Sequence, residues 1–227
     1  MLSPEALSAV YLSAKVAFFA TLICLPFAIL VAWWLARYEF RLKFLVDALL
    51  QLPLVLPPVV LGYLLLVVFG TQGILGQYLY ALGIRLAFDW KGAVLASMVV
   101  AFPLMVQPIR LSFQHMNQQL EQVAASLGAA PLRVFFTISL PLALPGMMVG
   151  SILGFSRSLG EFGATITFVG NIPNETRTLP IAIYSLLQQP DGEMMAMRLV
   201  VLSLILAFLA LIANYFIVQK YQRKIGA

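Results

Sequence analysis

Residues 117–145 read NQQLEQVAASLGAAPLRVFFTISLPLALP, a polar-to-amphipathic island in an otherwise very apolar chain. Leu120, Val123, Ala124 and Leu127 recur at i, i+3, i+4 and i+7, so they share one apolar face of a helix, while Glu121, Gln122, Ala125 and Ser126 face elsewhere. Gly128 stands where a helix ends in the left-handed conformation that side chains disfavour, and Pro131 suits the first turn of a second helix. The segment reads as helix, hinge, helix. Such a unit either couples to a partner at the water boundary or rests on the bilayer surface, and the helical pattern alone leaves both open.

The runs on either side set its context. The chain has 227 residues, 62% of them hydrophobic and only 10% charged, with a mean hydropathy of +0.96. So little polar surface means that most of the chain is dissolved in lipid rather than folded around a soluble core. A helix needs about 20 residues to cross the hydrocarbon layer. Five runs are that long: 9–36, 44–69, 92–109, 141–169 and 199–218. The predicted fold is all-α, a single transmembrane domain over residues 1–227 with a cytoplasmic loop over 114–140. The N-terminal MLSPEALSAVYLSAK has neither a basic flank before a short apolar region nor a small-residue cleavage pattern, so the first run is expected to stay.

The net charge of +5 raises the question of nucleic acid, but the basic residues lie scattered at the ends of apolar runs and form no stripe with aromatics. They read as a topological signal. One set of ends holds Arg37, Arg41, Lys43, Arg110, Arg133, Lys220, Arg223 and Lys224; the other holds Arg85, Lys91, Arg177 and Arg198; Lys15 and Arg157 fall inside spans. The richer set is expected in the cytoplasm, which puts the N-terminus outside and the C-terminus inside. Cys24, the single cysteine, lies in an apolar run and reads as packing. His115 has no second ligand at metal-binding spacing and reads as solvated.

Two spans carry unusual residues. Pro53, Pro57 and Pro58 each lack an N–H and crowd the preceding turn, so the second span is bent or broken, either for packing or to line a pathway. In the fourth, Gly146, Gly150, Gly154 and Ser158 repeat every four residues, a strip without bulk that admits a close neighbouring helix. Arg157 and Glu161 are also four apart and would share a face; neither tolerates lipid. They either neutralise each other or lend positive potential to an anion path.

The loop resembles the cytoplasmic "EAA" loop of binding-protein-dependent ABC importer permeases, in which Glu-Ala-Ala is followed by a Gly and then by Leu-Pro. Gly128, Leu140 and Pro141 fit that spacing. The Glu-Ala-Ala positions hold Gln122, Val123 and Ala124, and Glu121 lies one residue early. A neutral Gln forms hydrogen bonds but no ion pair with an ATPase subunit. LPLVLPPVVLGYLLL in the second span and FSRSLGEFGATITFVGNIPNETRTLPIAIY in the fourth and the outer loop 171–192 resemble the molybdate permeases, with sulfate permeases next. Glu175, Thr176, Arg177, Thr178 and Pro180 match the molybdate pattern in that loop.

The sequence has one His, no Ser-His-carboxylate set and no phosphate-cradling Gly-rich loop ending in Lys-Ser/Thr, so it is not expected to hydrolyse ATP itself. The resemblance implies a type I permease subunit in a bacterial inner membrane, forming a homodimer on two cytoplasmic ATPase subunits that hold Mg-ATP. The cargo, molybdate, or alternatively sulfate or tungstate, would come from an external or periplasmic binding protein. Hydroxyls such as Ser156, Ser158, Thr165 and Thr167 are available to an anion but do not tell molybdenum from sulfur. Two rivals differ in class. A secondary transporter usually shows internal repeats and midplane ionisable residues, and a passive anchor has no need of bent helices.

Overall fold

The structure, a computed structural model, describes residues 4–225, without the side chains at 210, 213, 214, 217, 218 and from 220 onward. The topological residues Lys220, Arg223 and Lys224 therefore lie outside the described side chains. The regular elements of the described residues are all helices. In order come α1 (Pro4–Arg37), α2 (Lys43–Val55), α3 (Pro58–Phe69), α4 (Gly76–Ala81), α5 (Trp90–His115), α6 (Gln119–Ser126) and α7 (Pro131–Val134). A π-helical turn (Phe135–Ser139) follows, then α8 (Leu140–Leu142), α9 (Leu144–Leu159), α10 (Gly163–Val169), α11 (Leu179–Leu187) and α12 (Glu193–Ile225).

Small residues decide which helices lie at the centre. Along α1, Ala6, Ala9, Ser13, Ala17, Ala20, Cys24, Ala28 and Ala32 recur every three or four positions and are all buried. That stripe lets α1 lie along α5 and α9. Leu12, Val16 and Ala20 meet Ala93, Ala96 and Val100 in one cluster, and Cys24, Ala28 and Ala32 meet Met105, Ile109 and Phe113 in the next. At the far end Ala6 and Ala9 meet Leu179, Ala182 and Leu199.

Among the described residues, α1 and α5 are each long and apolar enough to cross a bilayer alone. The bent pairs α2–α3 and Pro131–Leu142 with α9 would bring the number to four if each is one span. The predicted run 199–218 falls within α12, part of whose side chains lie outside the described set. The second predicted run is two helices at 109° to each other. Its break falls at Leu56, which is extended because Pro57 follows it, and Pro58 opens the next helix. The predicted run 141–169 is likewise not one helix, a correction with two causes. The chain turns by 67° around Ala143, and α9 stops at Gly160, leaving Glu161 and Phe162 outside helix before α10. Residues 171–192, expected as an outer loop, contain α11, whose Leu179, Ile181 and Ala182 are buried.

Candidate functional site

The loop is built as a hairpin of short helices. α6 ends in a paired cap: Ala129 N–H donates to Ala124 O at 3.1 Å and Gly128 N–H to Ala125 O at 2.9 Å. Gly128 has φ +84°, the left-handed value such a cap requires. Ala130 is extended, and Pro131 opens α7. Of the apolar face read from the sequence, Leu120 is 48%, Val123 58% and Leu127 84% exposed, so none of the three is buried by the described residues. Ala124 is half-buried and Gln122 exposed. Leu140 and Pro141 form the turn of α8 that leads into α9.

Glu121 does something else. Its Oε1 accepts from Arg37 Nη2 at 2.7 Å and also from the Ser139 hydroxyl. The carboxylate thus joins α6 to the end of α1 and to the π turn. A cavity of about 410 Å³ adjoins the junction, lined by Trp33, Arg37, Glu121, Gln122, Pro131 and Phe135 among others. Beside it the Trp33 and Phe135 rings meet edge to face at 5.5 Å. Nothing in the sequence points from Glu121 to Arg37, because 84 positions separate them and no periodicity spans that gap. At the same end Asp47 of α2 pairs with Arg110 of α5 at 2.5 Å, a second contact that the sequence reading misses.

The second cluster lies at the α9–α10 break. Arg157 Nη1 meets Glu161 Oε2 at 2.7 Å, with Glu161 1% and Arg157 30% exposed at the side chain. The ion pair lacks hydrogen-bond alignment at that oxygen. Glu161 Oε1 accepts from Ala164 N–H at 2.9 Å and so satisfies a free amide of the first turn of α10. The two residues do not share a helix face as their spacing suggests; the carboxylate lies beyond the helix end and folds back. Thr165 and Thr167 hydroxyls are spent on the carbonyls of Phe162 and Gly163. Ser158 Oγ is buried without a hydrogen-bond partner among the described residues.

The strip Gly146, Gly150, Gly154 and Ser158 is buried against α5. A Cβ at Gly146 would stand 2.4 Å from Pro108 O, one at Gly150 2.8 Å from Met105 O, and one at Gly154 2.6 Å from Met105 Cγ. At Gly146 and Gly150 a Cβ would press on the α5 backbone, whereas at Gly154 it would meet the flexible Met105 side chain.

The opposite end is a tight knot. Thr176 is fully buried, and its hydroxyl accepts from Ile172 N–H at 2.9 Å. Arg177 Nε donates to Asn171 Oδ1 at 2.8 Å and its Nη1 approaches Glu5 at 3.4 Å. Leu179 N–H donates to Ser13 Oγ of α1 at 2.6 Å. Lys15, read as a charge inside a span, lies 3.6 Å over the Trp90 ring. His115 is exposed at the end of α5.

Residues 25–224 match the family described as the binding-protein-dependent transport system inner membrane component. The chain belongs to that family. It is a multi-pass inner-membrane protein and a component of a transport system. The molybdenum transport system permease protein ModB of Haemophilus influenzae (strain Rd) is 53% identical over 221 residues, covering 97% of this chain and 96% of that protein. ModB of Escherichia coli (strain K12) is 54% identical over 219 residues, 96% of each. A probable sulfate transport system permease of Nephroselmis olivacea is 39% identical over 189 residues, 83% of this chain and 66% of that protein. Among solved structures, a bacterial ABC transporter importing alginate superposes with a TM-score of 0.77 at 16% identity, over 96% of this chain and 80% of that one. That likeness concerns the fold.

Proposed function

We propose that this chain is the permease subunit of an ATP-driven importer that moves molybdate from a periplasmic binding protein to the cytoplasm. One observation carries the substrate: identity above 50% along nearly the whole length to molybdenum permeases, against a lower and shorter likeness to a sulfate permease. The exposed ridge of Leu120, Val123 and Leu127 supports the coupling role, since an apolar face at the water boundary that the described residues leave exposed suits a docking partner. In this reading two copies of the chain pair and rest on two cytoplasmic ATPase subunits, which hold the Mg-ATP. ATP binding closes the ATPase pair and draws the two loops together. The membrane helices then exchange inward-open for outward-open, which requires only that each state offer the partners different contacts.

The substrate is tested by deletion. Cells without the protein should lose molybdenum-enzyme activity at trace molybdate, regain it when molybdate is raised, and keep growing on sulfate as sole sulfur source. Sulfur auxotrophy with intact molybdenum enzymes would reassign the cargo to sulfate. Orientation is tested by fusion. An alkaline phosphatase reporter should be active within residues 171–192 and inactive after Arg133, and the reverse pattern would overturn the topology.

A further inference from the structure

We propose that Glu121 is a positioning residue which pins the loop helix α6 to α1 through Arg37 and to the π turn through Ser139, so that movement of the loop is passed to the membrane helices. The proposal rests on the coupling reading above and says which contact transmits the movement.

Three observations carry it. First, one carboxylate oxygen receives both donors, and these come from positions 84 and 18 residues away. The contact therefore joins three separate elements and is not local helix chemistry. Second, the pin is shielded, with Arg37 11% and Glu121 20% exposed at the side chain. Arg37 Nε and Nη1 are buried without a hydrogen-bond partner among the described residues, so within that set Glu121 alone holds the guanidinium. In such surroundings a charged contact is stronger than it is in water. Third, a cleft of about 410 Å³ lies beside the pin, lined by residues of α1, α6 and the π turn, and the Trp33–Phe135 ring contact flanks it.

The position of the pin gives it leverage. α1 runs from it to the opposite end of the molecule, where Ala6 and Ala9 pack on Leu179 and Leu199. Ser139 leads through α8 into α9, the helix with the glycine strip. A push on α6 thus reaches both central helices from one point. The carboxylate is turned toward its own chain, while its neighbours Gln122 and Val123 are exposed. Glu121 accordingly acts within this chain and leaves the partner-facing surface to them.

The test uses the complex of this chain with its ATPase subunit in proteoliposomes, reading molybdate uptake per ATP hydrolysed. Loss of complex lowers both rates together; loss of transmission lowers their ratio. Arg37→Met and Glu121→Gln should each lower the ratio about tenfold, and the double variant about tenfold rather than a hundredfold, because both remove the same contact. The ATPase subunit should still co-purify with all three. An unchanged ratio, or multiplication of the two effects, would overturn the pin. So would loss of co-purification in Glu121→Gln with a silent Arg37→Met, which would assign the carboxylate to the ATPase directly. Ser139→Ala removes a donor without changing charge and keeps the test decisive if a charge variant fails to insert. It should lower the ratio by roughly twofold to threefold, and an unchanged ratio would again overturn the pin. Leu127→Asp separates the underlying reading: it should release the ATPase subunit, and retention would sink the docking surface itself.

Discussion

Two Arg–Glu pairs of equal length, 2.7 Å each, behave as opposites in this molecule. At the α9–α10 break the carboxylate is the deep partner: Glu161 is 1% exposed and Arg157 30%. At the loop the guanidinium is deeper, 11% for Arg37 against 20% for Glu121. The cost of breaking a buried pair falls mainly on whichever charge is left behind without water, so length says little and depth says which half matters. The pairs also differ in reach. Arg157 and Glu161 are neighbours in the chain and fix one break, whereas Arg37 and Glu121 tie distant segments together.

The sharpest way to break this comparison is to remove each partner in turn and measure thermal unfolding of the purified protein in detergent. Arg157→Met strands a fully buried carboxylate and should cost about 3–5 kcal/mol. Glu161→Gln should cost less, about 1–3 kcal/mol, because the amide oxygen can still accept from Ala164 N–H and Arg157 keeps some access to solvent. Exchanging the two residues should be as harmful as Arg157→Met, since an arginine at position 161 has no acceptor for that amide. Tolerance of the exchange would mean that only the charge balance matters there.

At the loop the order should reverse by a smaller margin. Glu121→Gln weakens the one hold on a buried guanidinium among the described residues, while Arg37→Met leaves Glu121 one-fifth exposed and still bonded to Ser139. The first should be the less stable by roughly 1 kcal/mol in the same assay. Equal stability would remove depth as the deciding variable.

The two pairs also mark what could be read from residues alone. Arg157 with Glu161 stands out at once, because four positions apart is helical spacing and charges inside an apolar run demand a partner. Spacing does not tell how they meet, since a break at Gly160 depends on packing. The all-α class, the glycine strip and the proline break in the second run were legible for the same local reason. Arg37 with Glu121, Asp47 with Arg110 and Lys15 with Trp90 were not, because each joins helices whose arrangement is set by the small-residue stripe of α1 and its neighbours. The sequence places Glu121 in the coupling loop, off the apolar face of its helix and one residue ahead of the family's Glu position, but does not give its partner. Its partner, Arg37, closes α1 and belongs to no motif.

Gly128 sharpens the comparison from the other side, because it shapes the loop through its backbone alone. An added Cβ would meet nothing within 4 Å, so a substitution there is felt only through the backbone, held at φ +84°. Gly128→Leu should therefore cost about 1 kcal/mol of local stability and loosen the cap that ends α6. Gly128→Asn, which tolerates the left-handed region, should cost less. In the reconstituted complex the leucine variant should reach the membrane in normal amount but transport less per ATP hydrolysed, and the asparagine variant should lie between it and the parent. If both variants transport fully, the hinge is only a connector. The burden of coupling would then rest on the charged pin, 7 residues before it in the sequence.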